Sequence, residues 1–425
     1  MHPIHRLFPC AAVALLLSGC EVAGTSGNAS VRVVNASMDY ASVDLYLDDK
    51  RRLTAVGYES GSDYLKVDAD SYDVEFRRAD ASGALEAYTK DLSDGDRLTW
   101  LVLGASGSFE VLALGETQAS PDKGESLVRL VNGAPDAGAV DVYLTDATTG
   151  LADVSPTWSD VAIDALASEG LVKLDAGTYR LRVTAAGSTT DVRLDRTGVV
   201  LAGKGVYTIV VCGTTGGVLT DAMLVQQDGA VSLLPTTQAR VRAVVGLDDA
   251  STASVSVGGT PLVASATVPV LGAYRLVDAG TPAVSLSVDG AGVAVGSVEL
   301  VAGSDYTLLY TGTPAAVTQS AIADVNRLPA AGTFKVRLIN AMSALGEPLS
   351  MSVDFLPAVD DVPLGSVALS DAIDAVDGGR LDVTRVSTSS LLYSLTSLSL
   401  EGQAVYTQVM FGTADAPTGA LRKDR

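Results

Sequence analysis

The sequence predicts an all-β chain: tandem antiparallel immunoglobulin-like or transthyretin-like β-sandwiches, about four of them, behind an N-terminal export signal. Three observations carry this expectation. An apolar segment near the start ends in small residues and a cysteine. One strand pattern recurs four times along the chain. Short runs of alternating polarity, with turn residues every 8–12 positions or so, replace helical periodicity almost throughout.

Met1 to Arg6 carries one fixed positive charge, and Leu7 to Leu17 is almost wholly apolar. That run is shorter than the roughly 20 residues a membrane-spanning helix needs and has the length of a signal-peptide core. Leu17-Ser18-Gly19-Cys20 follows. These residues resemble the bacterial lipobox, which implies that Cys20 is acylated and becomes the mature N-terminus. Each buried methylene of an acyl chain contributes about 0.8 kcal/mol, and one chain binds only reversibly; the resemblance implies several chains on Cys20 and lasting attachment. Residues 1–19 are then a lipoprotein signal peptide and 20–29 a lipidated tether. Glu21 is not the aspartate associated with inner-membrane retention, so the expected location is the outer membrane, on its periplasmic face or at the cell surface.

Removing residues 1–19 takes away Arg6 and no acid, so 28 basic and 50 acidic side chains leave a formal charge of −22. Such a surface repels phosphate backbones, and no nucleic-acid partner is expected. Both histidines, His2 and His5, lie in the signal. Nucleophilic pairs that need histidine are thereby excluded, as are imidazole metal ligands. With Cys10 removed and Cys20 acylated, Cys212 is the one remaining thiol, in a run that reads as a buried strand.

Four repeats account for most of the remainder. A first strand recurs as Val31-Arg32-Val33-Val34-Asn35, Val128-Arg129-Leu130-Val131-Asn132, Val241-Arg242-Ala243-Val244-Val245 and Val336-Arg337-Leu338-Ile339-Asn340. A second reads Val43-Asp44-Leu45-Tyr46-Leu47 and Val140-Asp141-Val142-Tyr143-Leu144, with weaker counterparts at Val255 and Met351. A third element is strand–turn–strand around Ala69-Asp70, Ala176-Gly177, Ala279-Gly280 and Gly378-Gly379, where Asp and Gly suit a hairpin turn with positive φ. A fourth has an early turn glycine, then Thr99, Thr208, Thr307 or Thr407 near its middle, then a mostly apolar strand ending in Gly; the unbroken apolar run, as in Leu101-Val102-Leu103, predicts cover on both faces. The expected units are 30–118, 126–235, 238–329 and 333–425, the last two diverged and the last lacking part of its final strand. The joins are polar and bear Pro or Gly, from Glu116 to Glu125, Pro235 to Gln238 and Pro329 to Gly332. Helix is expected only as a turn or two near Asp160–Ala167 and Asp371–Ala375.

The order Val-Arg-x-x-Asn, Val-Asp-x-Tyr-Leu, Ala-Gly-x-Tyr and a Gly-bearing turn before a long apolar strand resembles the bacterial family called domain of unknown function 4397. Residues 128–226 fit best. The third and fourth units depart, with Val245 in place of the asparagine and Pro282 and Leu381 in place of the tyrosine. The resemblance implies sandwich modules on cell-envelope proteins and brings no catalytic residues.

Candidate sites are few. Asp44, Asp48 and Asp49, with Asp39 nearby, and Asp94 and Asp96 could offer oxygens to calcium, but they lack a calcium-loop spacing and read first as turn chemistry. No other metal and no cofactor is expected. Trp100 reads as core; Trp158, in the insert from Thr148 to Glu169, is the candidate exposed anchor for a partner, local packing being the other reading. Ala202-Gly203-Lys204-Gly205 reads as a hairpin turn, and the recurring Arg32, Arg129, Arg242 and Arg337 as a fold element pairing a carboxylate across strands. The leading expectation is a non-enzymatic structural or interaction module that binds the membrane through its lipid and an envelope protein or polysaccharide through its domains. A carbohydrate- or calcium-binding adhesin is the alternative, and a hydrolase using carboxylates alone comes third.

Overall fold

The computed structural model describes residues 27–425, which form an all-β array of repeated two-sheet units. In the first repeat the strands are β1 (Asn28–Asn35), β2 (Ser42–Leu47), β3 (Lys50–Gly57), β4 (Ser60–Gly61), β5 (Leu65–Asp68), β6 (Ser71–Arg78), β7 (Ala84–Asp91), β8 (Arg97–Leu103) and β9 (Glu110–Gly115). One sheet has the order β4–β1–β8–β9, with β5 also paired to β1; the other has the order β3–β2–β6–β7. The same two-sheet plan recurs in the other three repeats.

Alternation along β1 explains the layering. Val31 and Val33 point into the sandwich with Val43, Phe76, Trp100 and Val102. Arg32 and Val34 point the other way. β8 does the same: Val102 joins the repeat's own core, while Leu101 and Leu103 join a second core shared with Val131, Val210, Cys212 and Met223 of the next repeat. The unbroken apolar strand therefore marks a sheet covered by its own sandwich on one side and by a neighbouring repeat on the other. A second shared core, with Val244, Leu309, Ile339, Val409 and Phe411, joins the third and fourth repeats. The chain thus packs as two face-to-face pairs.

Several local expectations are corrected. β1 and β8 run parallel, as do their counterparts, within otherwise antiparallel sheets. The expected hairpin turns at Ala69-Asp70 and Gly203-Lys204 join strands of different sheets, so they are sheet-to-sheet crossings. At the turns around Ala69-Asp70, Ala176-Gly177, Ala279-Gly280 and Gly378-Gly379, Gly280 and Gly378 take the expected positive φ, whereas Asp70, Gly177 and Gly379 do not. The segments expected to coil are strands: Trp158–Val161 and Ala165–Leu166 in the second repeat, Ile373–Asp374 in the fourth. Asp160 and Asp164 have φ of 51° and 53°, which no right-handed helix accepts, and ladder bonds to neighbouring strands outweigh the small propensity of so short a segment. Single 3-10 turns occur instead at Pro135–Ala137 and Leu151–Asp153. The fourth repeat has its last strand, Pro417–Lys423, antiparallel to Ala404–Gly412.

Candidate functional site

Cys20, the expected lipidation site, lies outside the described residues. The carboxylates proposed as weak calcium ligands are engaged in separate turns. Asp44 is buried; its Oδ1 accepts the Ala55 N–H at 2.7 Å and its Oδ2 lies 3.4 Å from Arg51. Asp48 accepts the Asp73 N–H at 3.0 Å, and Asp48 and Asp49 take φ of 50° and 61° at the tip of the β2–β3 hairpin. Asp94 accepts the Asn28 N–H and Asp96 the Ser93 N–H, both at 2.8 Å. Among the described residues, no three His, Cys, Asp or Glu side chains are placed to share a metal ion.

Trp158 is not an exposed anchor. It is fully buried in the core of the second repeat with Val142, Leu181 and Val199, because the insert folds back as an edge strand against Val140–Thr145. Trp100 is core as expected and meets Phe76 edge-on. Cys212 is buried between the first two repeats, where burial pushes its thiol well above the usual range.

The exposed apolar contact is found elsewhere. Asp354-Phe355 turns the hairpin between Leu349–Val353 and Leu356–Val362, with φ of 45° and 66°. Phe355 is 76% exposed and Leu356 67%. The equivalent turns use Asp48-Asp49 and Gly258-Gly259, residues that tolerate positive φ. A phenylalanine there costs on the order of 1–3 kcal/mol of backbone strain. The Asp354 carboxylate accepts the Arg380 N–H at 2.8 Å, and the Arg380 guanidinium stands 5.5 Å from the Phe355 ring centre. A hydrophobe opposite Asp-Asp and Gly-Gly in aligned hairpins is the sequence signal that could have exposed this site.

The recurring arginines are the second feature. Each sits in register with its repeat's threonine across the parallel ladder: Arg32 with Thr99, Arg129 with Thr208, Arg242 with Thr307 and Arg337 with Thr407. The guanidinium-to-hydroxyl bonds are 2.8–3.0 Å. All four arginines are buried where paired repeats meet, and carboxylates lie between them. Glu116 serves Arg129 at 3.1 Å and Arg32 at 3.9 Å; burial, only partly offset by these two cations, raises its carboxyl above the ordinary value. In the second pair, Asp324 and Asp424 stand between Arg242 and Arg337 at 2.7–3.8 Å. Glu116 belongs to a segment expected to be a plain linker.

A third arginine cluster ties the pairs together. Arg327 holds Asp39 with two bonds of 2.7 and 2.8 Å and Asp136 at 2.7 Å. Asp39 is held below the ordinary carboxylate value, chiefly by that hydrogen bond. Arg327 precedes the Pro329 join, and nothing in the repeat pattern singles it out.

Fold and contacts together define a chain of tandem β-sandwich repeats that pack in pairs through buried arginine–carboxylate networks. The family model described as Domain of unknown function (DUF4397) matches residues 29–143 and 239–347, and the chain belongs to this family. No curated protein matches it. Among solved structures, a candidate cell adhesion protein from Bacteroides uniformis ATCC 8492 is similar at 13% identity and a TM-score of 0.22, over 48% of this chain and 99% of its own. The Bacillus anthracis TIE protein aligns at 7% identity and 0.14, over 87% of this chain and 66% of its own. A candidate adhesin from Bacteroides ovatus aligns at 12% and 0.14, over 68% and 91%.

Proposed function

We propose that this protein is a non-enzymatic interaction module of the bacterial cell envelope, anchored in the outer membrane by lipid on Cys20, which engages an envelope protein or polysaccharide through the Phe355–Leu356 hairpin tip. The observation that carries this reading is the exposed Phe355 ring, kept in a strained backbone where the equivalent turns use Asp or Gly. Strain retained at an exposed aromatic points to contact rather than to packing. A tip of this kind needs a stiff support, and the shared cores with the Arg327 clamp supply one. The absence of histidine after residue 5 leaves only histidine-free chemistry for any enzymatic reading.

A photo-crosslinking residue at position 355, activated in intact cells and analysed by mass spectrometry, tests this. One enriched envelope component, lost in a variant carrying Phe355→Asp, supports the reading. Capture that is identical with the probe at exposed Thr190 contradicts it. Cys20→Ser is expected to release the protein from the membrane fraction.

A further inference from the structure

The third repeat leaves one sheet edge open. Its strand Ala316–Asp324 pairs along one side with Asp305–Thr313; among the described residues, no strand pairs with its other side. Edge strands present unpaired N–H and C=O groups and are ordinarily blunted by charge, proline or cover. The corresponding strand of the first repeat, β9, starts with Glu110, and that of the fourth, Pro417–Lys423, carries a proline, an arginine and a lysine. In the third repeat, Ala316 to Ala323 has no charge, no proline and no glycine.

The corresponding strand of the second repeat, Thr220–Gln226, is covered. Val231–Leu234 returns antiparallel along its outer side, with Ala222 opposite Leu234 and Val225 opposite Val231. Leu234 packs against that repeat's own core, and Val231 against the core shared with the first repeat. Thr208 and Thr307 hold the same place in their ladders, so Ala222–Val225 corresponds to Gln319–Ile322. The third repeat thus has the same acceptor edge without its covering strand.

Behind this edge lies a groove of about 410 Å³, lined by Val317, Gln319 and Ala321 on one side and by residues 294–298 on the other. It opens because the last strand of the facing sheet has three residues, Ala291–Val293, where the other repeats have eight to ten. Pro282, which lacks an N–H, stands where the second repeat pairs Tyr179 with Val199, and beyond Val293 the chain runs without ladder pairing to Leu300. The Gln319 carboxamide accepts the Gly296 N–H at 3.0 Å and donates to its carbonyl at 3.4 Å, the two kinds of bond that a strand's peptide groups make.

We propose that Ala316–Asp324 is an acceptor edge for β-strand addition, taking an extended, uncharged, apolar-rich segment of a second protein as an antiparallel strand. The occupant's chemistry is that of Val231-Ser232-Leu233-Leu234, the segment the chain itself places on the same edge one repeat earlier. In this mode main-chain bonds supply affinity, and side chains seated in the groove supply selectivity. A second copy of this strongly acidic chain is opposed by charge. The edge shares no residue with the Phe355 tip, so pairing here does not depend on a partner there.

The test uses the full-length protein in detergent and a fluorescein-labelled peptide with the sequence of residues 229–236. Saturable binding by fluorescence anisotropy is expected, together with slowed backbone hydrogen exchange in Ala316–Asp324. Ala321→Lys, at an exposed position lining the groove, should weaken binding by about tenfold or more with Tm unchanged, because a charge blunts an edge. The same peptide carrying Leu234→Asp should bind more weakly to the parent protein. No binding to the folded protein, an unchanged affinity in Ala321→Lys, or slowed exchange at Thr220–Gln226 instead, where the peptide would have replaced the chain's own strand, would each overturn the proposal. So would sedimentation of the protein alone as a dimer that Ala321→Lys dissociates, which assigns the edge to a second copy.

Discussion

Replacing Asp324 by Asn isolates the energetic role of the buried network. Asp324 has a fully buried side chain; it lies 3.2 Å from Arg337 and 3.8 Å from Arg242, and accepts bonds from Thr307 at 2.5 Å and Tyr274 at 2.7 Å. The amide keeps the shape and removes the charge, leaving two buried guanidinium groups to share Asp424. Breaking one partner of a buried ion pair costs about 3–5 kcal/mol. If the third and fourth repeats unfold together, each kcal/mol lowers Tm by about 2–4 °C, so the expected fall is roughly 6–20 °C. Calorimetry or circular-dichroism melting reads this directly. The control is Glu125→Gln, which breaks the exposed Lys173 pair at 2.9 Å and should cost less than about 1 kcal/mol. A drop for Asp324→Asn no larger than the control's would refute the view that the network holds the pair together.

Three further outcomes are expected. Asn132 donates to the Gly138 and Val161 carbonyls and accepts from the Ala134 N–H; Asn132→Ala leaves these buried groups unpaired and should destabilise by on the order of 3 kcal/mol in denaturant unfolding. The Glu59 carboxyl, buried beside that of Asp221 where the first two repeats meet, is pushed up to about 8, by desolvation first and by Asp221 second. Because the folded state holds this proton, its contribution is complete below the ordinary value near 4.5 and is lost as pH rises towards 8; Glu59→Gln should therefore gain stability relative to the parent between pH 5 and 8, and parallel Tm curves would contradict this. Arg327→Ala removes the bonds to Asp39 and Asp136, so small-angle scattering should report a larger radius of gyration, with the melting of each pair little changed.

The repeats were legible because strand alternation forces the pattern: Val31 and Val33 must be apolar for one core and Val34 for another. The arginine's expected partner, a carboxylate, was also sound, but the network spans two repeats and draws on Glu116 and Asp424, which lie outside any strand motif. For Trp158 the structure realises the packing reading and not the exposed anchor, because the insert, which reads as a loop, is covered by a neighbouring strand. The strand Pro417–Lys423 was missed for a related reason: Pro and Gly weaken its pattern, while ladder bonds to Ala404–Gly412 define it. Phe355 is invisible to hydrophobic periodicity, since a lone aromatic at a turn counts as core until φ and exposure are known.

Thiol labelling of Cys212 tests face-to-face pairing most directly. In a variant beginning at residue 20 with Cys20→Ser, Cys212 is the one thiol, and its side chain lies in the core shared by the first two repeats rather than inside its own sandwich. Pairing predicts that a maleimide reagent modifies it only as fast as the pair opens, with labelling rising steeply at the unfolding transition. Rapid labelling of the folded protein under native conditions would mean that the repeats are separate beads, and would contradict the paired array.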